Sequence, residues 1–562
     1  MCPKSAPPER FDRRPPENTT RGRLQQLIPV LPPGACEERK EIDVMSEEIR
    51  IGWGCRSINP GRPVAIPGQF HLRVSMGEFT PVIVSALAIE NGGDAVIFVT
   101  ADVEGLRFSV LDTVIEKLRK SDPEIPGEKI ILSATHTHAG PNAVEKDYPS
   151  EVEWMGKEET LDFLTGRIAE AVAEAWKNRA PGQIAYGYGF AVVGHSRRVV
   201  YFDDLSRRPN AKATPGILVD GHGKMYGETN DPMFSHYEAG SDAFINLLYT
   251  FDAAGKLTGA IVNVPCPAQT NENVWLLHAG FWHPVRERIR AKYGDIGLIT
   301  QCAAGGDLSP RQMHYRQAEL RRYRLKFPEK YAYLCEHPFP YPEGFFKSEE
   351  ELKRNRRGDL MDMLRAEDIA ERIAAAFDEV LEWASKEKLR APELRHEVKT
   401  VGLDRRLFPD GICDAERANY EALMKRNFVE TDEKWSDLRA NSTLCAARSR
   451  CRDVIEIHDR QQTDRRLKTV VHAVRIGDAA FVSNRFELFI DYMHRIQARS
   501  PFVQTFIIQL AADHGPEGGT YLATERAVAN KGYSASPYCN RVSPAGGRQL
   551  VESTLEMLKS IR

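Results

Sequence analysis

The chain has 562 residues, 42% of them hydrophobic and 28% charged, with a formal net charge of −3, which suffices for a large buried core divided among about two to four domains. The near-neutral balance gives no basic field for nucleic acid or an anionic membrane surface, and no run approaches the ~18 apolar residues of a membrane-spanning helix. Ten cysteines are scattered without a C-x-x-C pair, the usage of a reduced, cytoplasmic protein.

Residues 1–44 are rich in Pro and charge and lack an apolar signal segment, so they read as a disordered extension with no secretory leader. Met45 is a candidate translation start, and 45–562 read as one domain. "DAVIFVTAD" is a buried strand ending at Asp102. "FSVLDTVIEKLRK" follows as a helix with Val110, Leu111, Val114 and Leu118 on one face, and "KIILSATHTH" is the next strand. "LDFLTGRIAEAVAEAWKN" is an amphipathic helix leading to the strand "QIAYGYG". "LTGAIVNVPCPAQ", "FWHPVRERIRAKYG" and "IGLITQCAAGGDLSP" form a further strand–helix–strand unit, with Gly294 closing the helix. The basic run "RQMHYRQAELRRYRLKFPEK" reads as a solvated helix rather than a phosphate patch. Strands return in "KTVVHAVRIGDAAFVSN" and "FVQTFIIQLAAD".

This alternation predicts an α/β fold: a layered, mostly parallel sheet core, a helical insertion over about 311–465 and a C-terminal α+β block. Ligands of such folds gather beyond the carboxyl ends of the strands, where Asp102, His136, His138, "PCPAQ" and "GGDLSP" all fall. In an extended strand His136 and His138 would share one face, as two metal ligands or as a ligand beside an acid/base group. Such a pair alone is as readily a hydrogen-bonded strand closure.

Joined in chain order, these motifs resemble the neutral/alkaline ceramidase family. "THTHAGP", "GGDLSP" and "GGTYLATERAVANKGY" are similar to that family's elements, Tyr521 and Tyr533 keep the spacing of its two site tyrosines, "FVSNRFELF" aligns Glu487 with its ligand glutamate, and "GHSRR" aligns Arg197 with its substrate-side arginine. The resemblance implies a zinc-dependent amidase acting on a small molecule. His136, Glu487 and Tyr521 would be metal ligands, and His138, Ser309, Arg197, Tyr533 and Asp307 would be catalytic. The family's second ligand histidine aligns with Pro267, leaving Cys266, Gln269 or His514 as the fourth ligand or a metal held by fewer protein ligands, and Ser57 replaces a site aspartate. Taken singly, Ser309 would cap a helix, Glu487 would sit at a helix start, and Tyr521 would be a core tyrosine. Asp102 either backs a ligand histidine or only ends its strand. The family's immunoglobulin-like C-terminal domain is expected to be missing, because the chain ends one helix after Tyr533.

The expected reaction is hydrolysis of a small, soluble amide or ester rather than ceramide, and Trp53, Asn271, Trp275, Arg197 and Tyr533 near the motifs suit a compact hydroxylated substrate such as a sugar or cyclitol conjugate. A carbohydrate-active enzyme using the same metal site and a non-catalytic binding protein are the alternatives. A homo-oligomer is left open.

Overall fold

The computed structural model describes residues 48–209, 211 and 220–562; the expected extension over 1–44 lies outside them. The main sheet has eight strands: β1 (Arg50–Ser57), β2 (Ile83–Asn91), β3 (Asp94–Ala101), β4 (Ile130–Ala134), β5 (Ala180–Phe190), β6 (Phe244–Asp252), β7 (Leu257–Val264) and β8 (Gly297–Cys302), in the order β8-β7-β6-β5-β1-β2-β3-β4. A second sheet pairs β9 (Leu394–Asp404), β10 (Arg466–Ile476), β11 (Ala479–Ser483) and β12 (Gln504–Ile508).

The α/β layering is as expected, but the main sheet is mixed rather than mostly parallel. Only β3–β4 and β7–β8 are parallel, and α1 (Val110–Ser121) and α3 (Trp282–Tyr293) lie in the connections between them. The other neighbours are antiparallel. The β2–β3 and β6–β7 links are too short to hold a crossover helix, and short links force antiparallel pairing.

Period-two alternation sorts each strand between two cores. In β2 and β3, Val84, Ala86, Ala88, Ile97 and Val99 pack under α1 and α2 (Lys157–Lys177). Leu87, Ile89, Val96 and Phe98 point the other way, against Val474, Phe481, Phe506 and Ile508 of the second sheet. α3 and α6 (Glu349–Ala384) cover β5–β7, while α9 (Ile490–Gln497) and α11 (Pro544–Ser560) cover the outer face of the second sheet. The result is helix, sheet, sheet, helix. α4 (Arg316–Lys326), α5 (Pro328–Glu336), α7 (Asp410–Met424), α8 (Lys434–Arg460) and the short α10 (Glu525–Asn530) complete the helices. The 311–465 stretch is mainly helical, yet it contains β9, which pairs with β10 over eleven residues and so belongs to the sheet architecture.

At the centre Phe481 stacks on Phe506 at 4.2 Å and meets Phe98 of the main sheet at 4.9 Å. Phe481→Ala is expected to lower unfolding free energy by about 3–5 kcal/mol in urea titration; a loss below about 1 kcal/mol would mean the two sheets do not depend on this contact.

Candidate active site

β4 ends at Ala134, so His136 and His138 lie beyond the strand, and pleating is not what brings them together. His136 adopts a left-handed backbone, φ 60°, uncommon for a residue with a Cβ. Its loop is stitched to the loop after β7 by Ala268 N donating to Thr135 O (3.1 Å) and His278 N to Ala139 O (3.0 Å). The motif glycines allow this packing: a Cβ on Gly140 would stand 2.0 Å from Asp102 O, and one on Gly306 2.3 Å from Glu487 O. Arg73, fully buried, donates to the carbonyls of Val274, Pro67 and His138, tying three site loops to one guanidinium.

These loops border a cleft of about 1510 Å³. His136 Nδ1 donates to Glu104 O (2.5 Å), so Nε2 turns toward Glu487 Oε2 at 3.4 Å. Glu487 and Tyr521 come from two short strands paired in parallel, opposite each other in register. Burial pushes Glu487 up, but His136, Arg197 and Tyr521 outweigh it and hold the carboxyl at about 2. Burial likewise pushes His136 down, and the Glu487 and Glu104 carboxylates reverse this into a raised value. Arg197, 1% exposed, donates to Gln269 Oε1 (2.7 Å), Gly306 O (2.8 Å), Tyr521 Oη (3.2 Å) and Glu487 Oε2 (3.3 Å).

His138 sits beside this group, with its Nε2 3.4 Å from that of His136. Because Arg197 takes the Gln269 carbonyl, the Gln269 amide nitrogen faces His138 Nε2 at 2.6 Å. His138 Nδ1 meets Glu272 Oε2 at 3.2 Å. Burial lowers the His138 pKa despite the Glu272 partner, so the ring is neutral near pH 7. Burial pushes Glu272 up, and its bond to His138 outweighs this and holds it at about 2. The arrangement is a neutral imidazole oriented by a carboxylate.

The segment 80–198 matches the family model described as neutral/alkaline non-lysosomal ceramidase, N-terminal. The neutral ceramidase of Pseudomonas aeruginosa superposes with a TM-score of 0.57 at 16% identity, over 92% of this chain and 75% of that one. A ceramidase complexed with C2 superposes over the same shares at TM-score 0.56 and 15% identity. No curated protein sequence matches the chain. The resemblance is to the neutral ceramidases.

Against that family's pattern, this ceramidase-like chain gathers His136, His138, Arg197, Glu487, Tyr521 and Tyr533 at one cleft. It does not bring Ser309, Asp307 or Cys266 to the lining. Ser309 Oγ accepts from Arg311 N (3.1 Å) on a buried strand end. The Cys266 thiol is fully buried, faces Pro267 O at 3.4 Å, and does not line the cleft. His514 pairs with Asp112 on the surface. Gln269 alone of the fourth-ligand candidates reaches the cleft. Trp53 lies against the glycines Gly259 and Gly297, Trp275 is core, and Asn271 donates to Asp359 O, so none of the three lines the cleft. Asp102 does not back a histidine; it forms a two-pronged ion pair with Arg286 at 2.7 and 3.0 Å. Glu272 and Glu104 escaped the sequence reading. Glu272 lies just past "PCPAQ", and its signal is an acid three residues beyond Gln269 on a strand-end loop.

Among the described residues, the one group of three His, Cys, Asp or Glu donors with atoms all within 4.8 Å is Cys413, His458 and Asp459, away from the cleft. There Arg417 already bridges Cys413 and Asp459.

Asp307 Oδ1 accepts from Ile490 N (2.9 Å), capping α9 from a distant loop. Burial lifts its carboxyl from the ordinary 3.8 to about 7. Between those values the native state keeps a proton that the unfolded chain has released, so stability falls as pH rises from about 4 to 7. Asp307→Asn keeps the cap and removes the charge. The variant is expected to melt above wild type at pH 8, with the gap closing near pH 4, and to leave turnover intact. A lower melting temperature at pH 8, or lost turnover with the fold retained, would restore a charged, functional Asp307.

Proposed function

We propose that this cleft is the active site of a metal-dependent hydrolase that cleaves a small, polar amide or ester. The observation that carries the reading is the meeting of His136 Nε2 and Glu487 Oε2. With Nδ1 committed to Glu104 O, His136 Nε2 faces the Glu487 carboxylate at 3.4 Å in a buried site. A divalent ion displacing the imidazole proton would be met by both groups, and the spacing suits two ligands of one tetrahedral ion with bonds of ~2.0–2.1 Å. The backbone carbonyl on Nδ1 is the outer partner that ligand histidines usually have. His136, Glu487 and Tyr521 would hold the ion, most simply zinc given this N/O donor set. A divalent ion there would supply Lewis acidity toward a carbonyl oxygen.

The remaining chemistry belongs to the chain. Neutral His138, held by Glu272, is the base: its Nε2 takes the proton of a water attacking the carbonyl carbon. The same proton is then delivered to the departing nitrogen or oxygen, so acid and amine, or acid and alcohol, are the products. The Gln269 amide occupies Nε2 until water takes its place. Arg197, with both terminal nitrogens engaged by these acceptors, is a positioning residue that keeps Gln269, Glu487 and Tyr521 in register. Polarity of the substrate is supported by the basic side chains in the cleft lining, among them Arg107, Arg448, Arg450, Arg452, Arg485 and Arg541.

Assayed against long-chain ceramide and a panel of short N-acyl amides, esters and glycosides, the enzyme is expected to turn over polar amides or esters. Glycoside turnover alone, or ceramide alone, would overturn the substrate reading. Within the active series, His138→Ala is expected to cut kcat by about 10² or more, and Glu272→Gln by a smaller factor with the pH profile displaced, since the base loses its orienting charge. Unchanged kcat in both variants would remove His138 from the chemistry.

A further inference from the structure

Arginines along the cleft are nearly all committed. Arg107 pairs with Glu104 (3.2 Å), Arg452 with Glu456 (3.8 Å), Arg485 with Asp513 (3.3 Å) and Arg541 with Asp453 (3.0 Å), while Arg448 donates to the Leu423 and Arg426 carbonyls. Arg450 differs. It projects from α8 into the same cleft, half-buried, and among the described residues it has neither a carboxylate partner nor a hydrogen bond. Its guanidinium lies over the Phe70 ring at 4.3 Å. Phe70 meets Tyr533 edge-on at 5.4 Å, and Tyr533 meets Tyr521 at 6.2 Å. A line of rings therefore runs from Arg450 to the Tyr521 hydroxyl beside Arg197 and Glu487.

A guanidinium stacked on an aromatic face keeps its N–H edge open, and that edge matches a carboxylate or phosphate with two parallel hydrogen bonds. A partly desolvated cation without a counter-ion is stabilised when an anion arrives. We infer that Arg450 on Phe70 is an anion subsite, and that the substrate carries a carboxylate or comparable oxyanion at the end remote from the scissile bond. An N-acyl amino acid has that layout. The inference rests on the hydrolase reading above for its scissile bond, and on Arg450 for its charge.

The test is a matched set of short N-acyl compounds ending in a carboxylate, a phosphonate, a sulfonate or a neutral carboxamide. Wild type is expected to favour the best anion over the carboxamide by about 10- to 100-fold in kcat/KM, the size of one charge-assisted hydrogen-bond pair. Arg450→Gln should bring that ratio near unity, chiefly through KM, and Arg450→Lys should give an intermediate ratio because it keeps charge without the fork. The rank of carboxylate, phosphonate and sulfonate identifies the oxyanion. Equal turnover of charged and neutral members by wild type, or an undiminished ratio in Arg450→Gln with a normal melting temperature, would overturn the subsite. If no member is hydrolysed, the hydrolase reading fails, and the subsite is judged by binding of the same carboxylate in calorimetry. Tighter binding than the carboxamide in wild type and not in Arg450→Gln supports it, and equal binding overturns it.

Discussion

A single buried cation organises this site. Arg197 touches three parts of the chain that are far apart in sequence: the loop after β7 through Gln269, the loop after β8 through Gly306 O, and the paired strands that carry Glu487 and Tyr521. Placing a guanidinium at 1% exposure is costly unless hydrogen bonds and a counter-charge are at hand; both terminal nitrogens find acceptors, and Glu487 supplies the charge. The consequences run outward. Gln269 is turned so that its nitrogen faces His138, Glu487 is kept ionised opposite His136, and the Tyr521 hydroxyl is fixed beside both. Arg73 performs the matching task one layer away, holding the carbonyls of the loops that carry Gly68, His138 and Glu272.

The two histidines of one motif thereby acquire different chemistry. His136 commits Nδ1 to a carbonyl and offers Nε2 to a carboxylate, the state of a ligand; His138 commits Nδ1 to the Glu272 carboxylate and offers Nε2 as a base. The difference lies in what stands behind each ring. A motif of identical residues two apart can therefore serve two functions when the fold sets a carbonyl behind one and an acid behind the other.

The parts legible in the sequence are those with local signatures. β3–α1–β4 and β7–α3–β8 were readable because period two gives way to period 3.6 within each unit. Antiparallel β5, which pairs with β1 through only two residues and with β6 through nine, has no such local sign, and the sheet was read as more parallel than it is. β9 is hidden among charged helices because four of its eleven residues are charged and its pairing partner β10 lies some sixty residues later. At the site, the family resemblance singled out His136, His138, Arg197, Glu487, Tyr521 and Tyr533, and all six line one cleft. Glu272 and Gln269 acquire their roles only through contacts with His138 and Arg197, across long stretches of chain, which no spacing encodes. Ser309 and Asp307 stand on the right loop with side chains turned into the structure, toward Arg311 and α9.

A divalent cation between His136 and Glu487 is the feature on which the site's chemistry depends. Crystals of the purified protein, measured above and below the zinc absorption edge, test this most directly. The expected result is one strong anomalous peak within about 2.0–2.2 Å of His136 Nε2 and a Glu487 oxygen, with the Tyr521 oxygen as a further ligand. A difference map with no peak there, from protein supplied with zinc and with the His136–Glu487 contact closed by a proton instead, would contradict it.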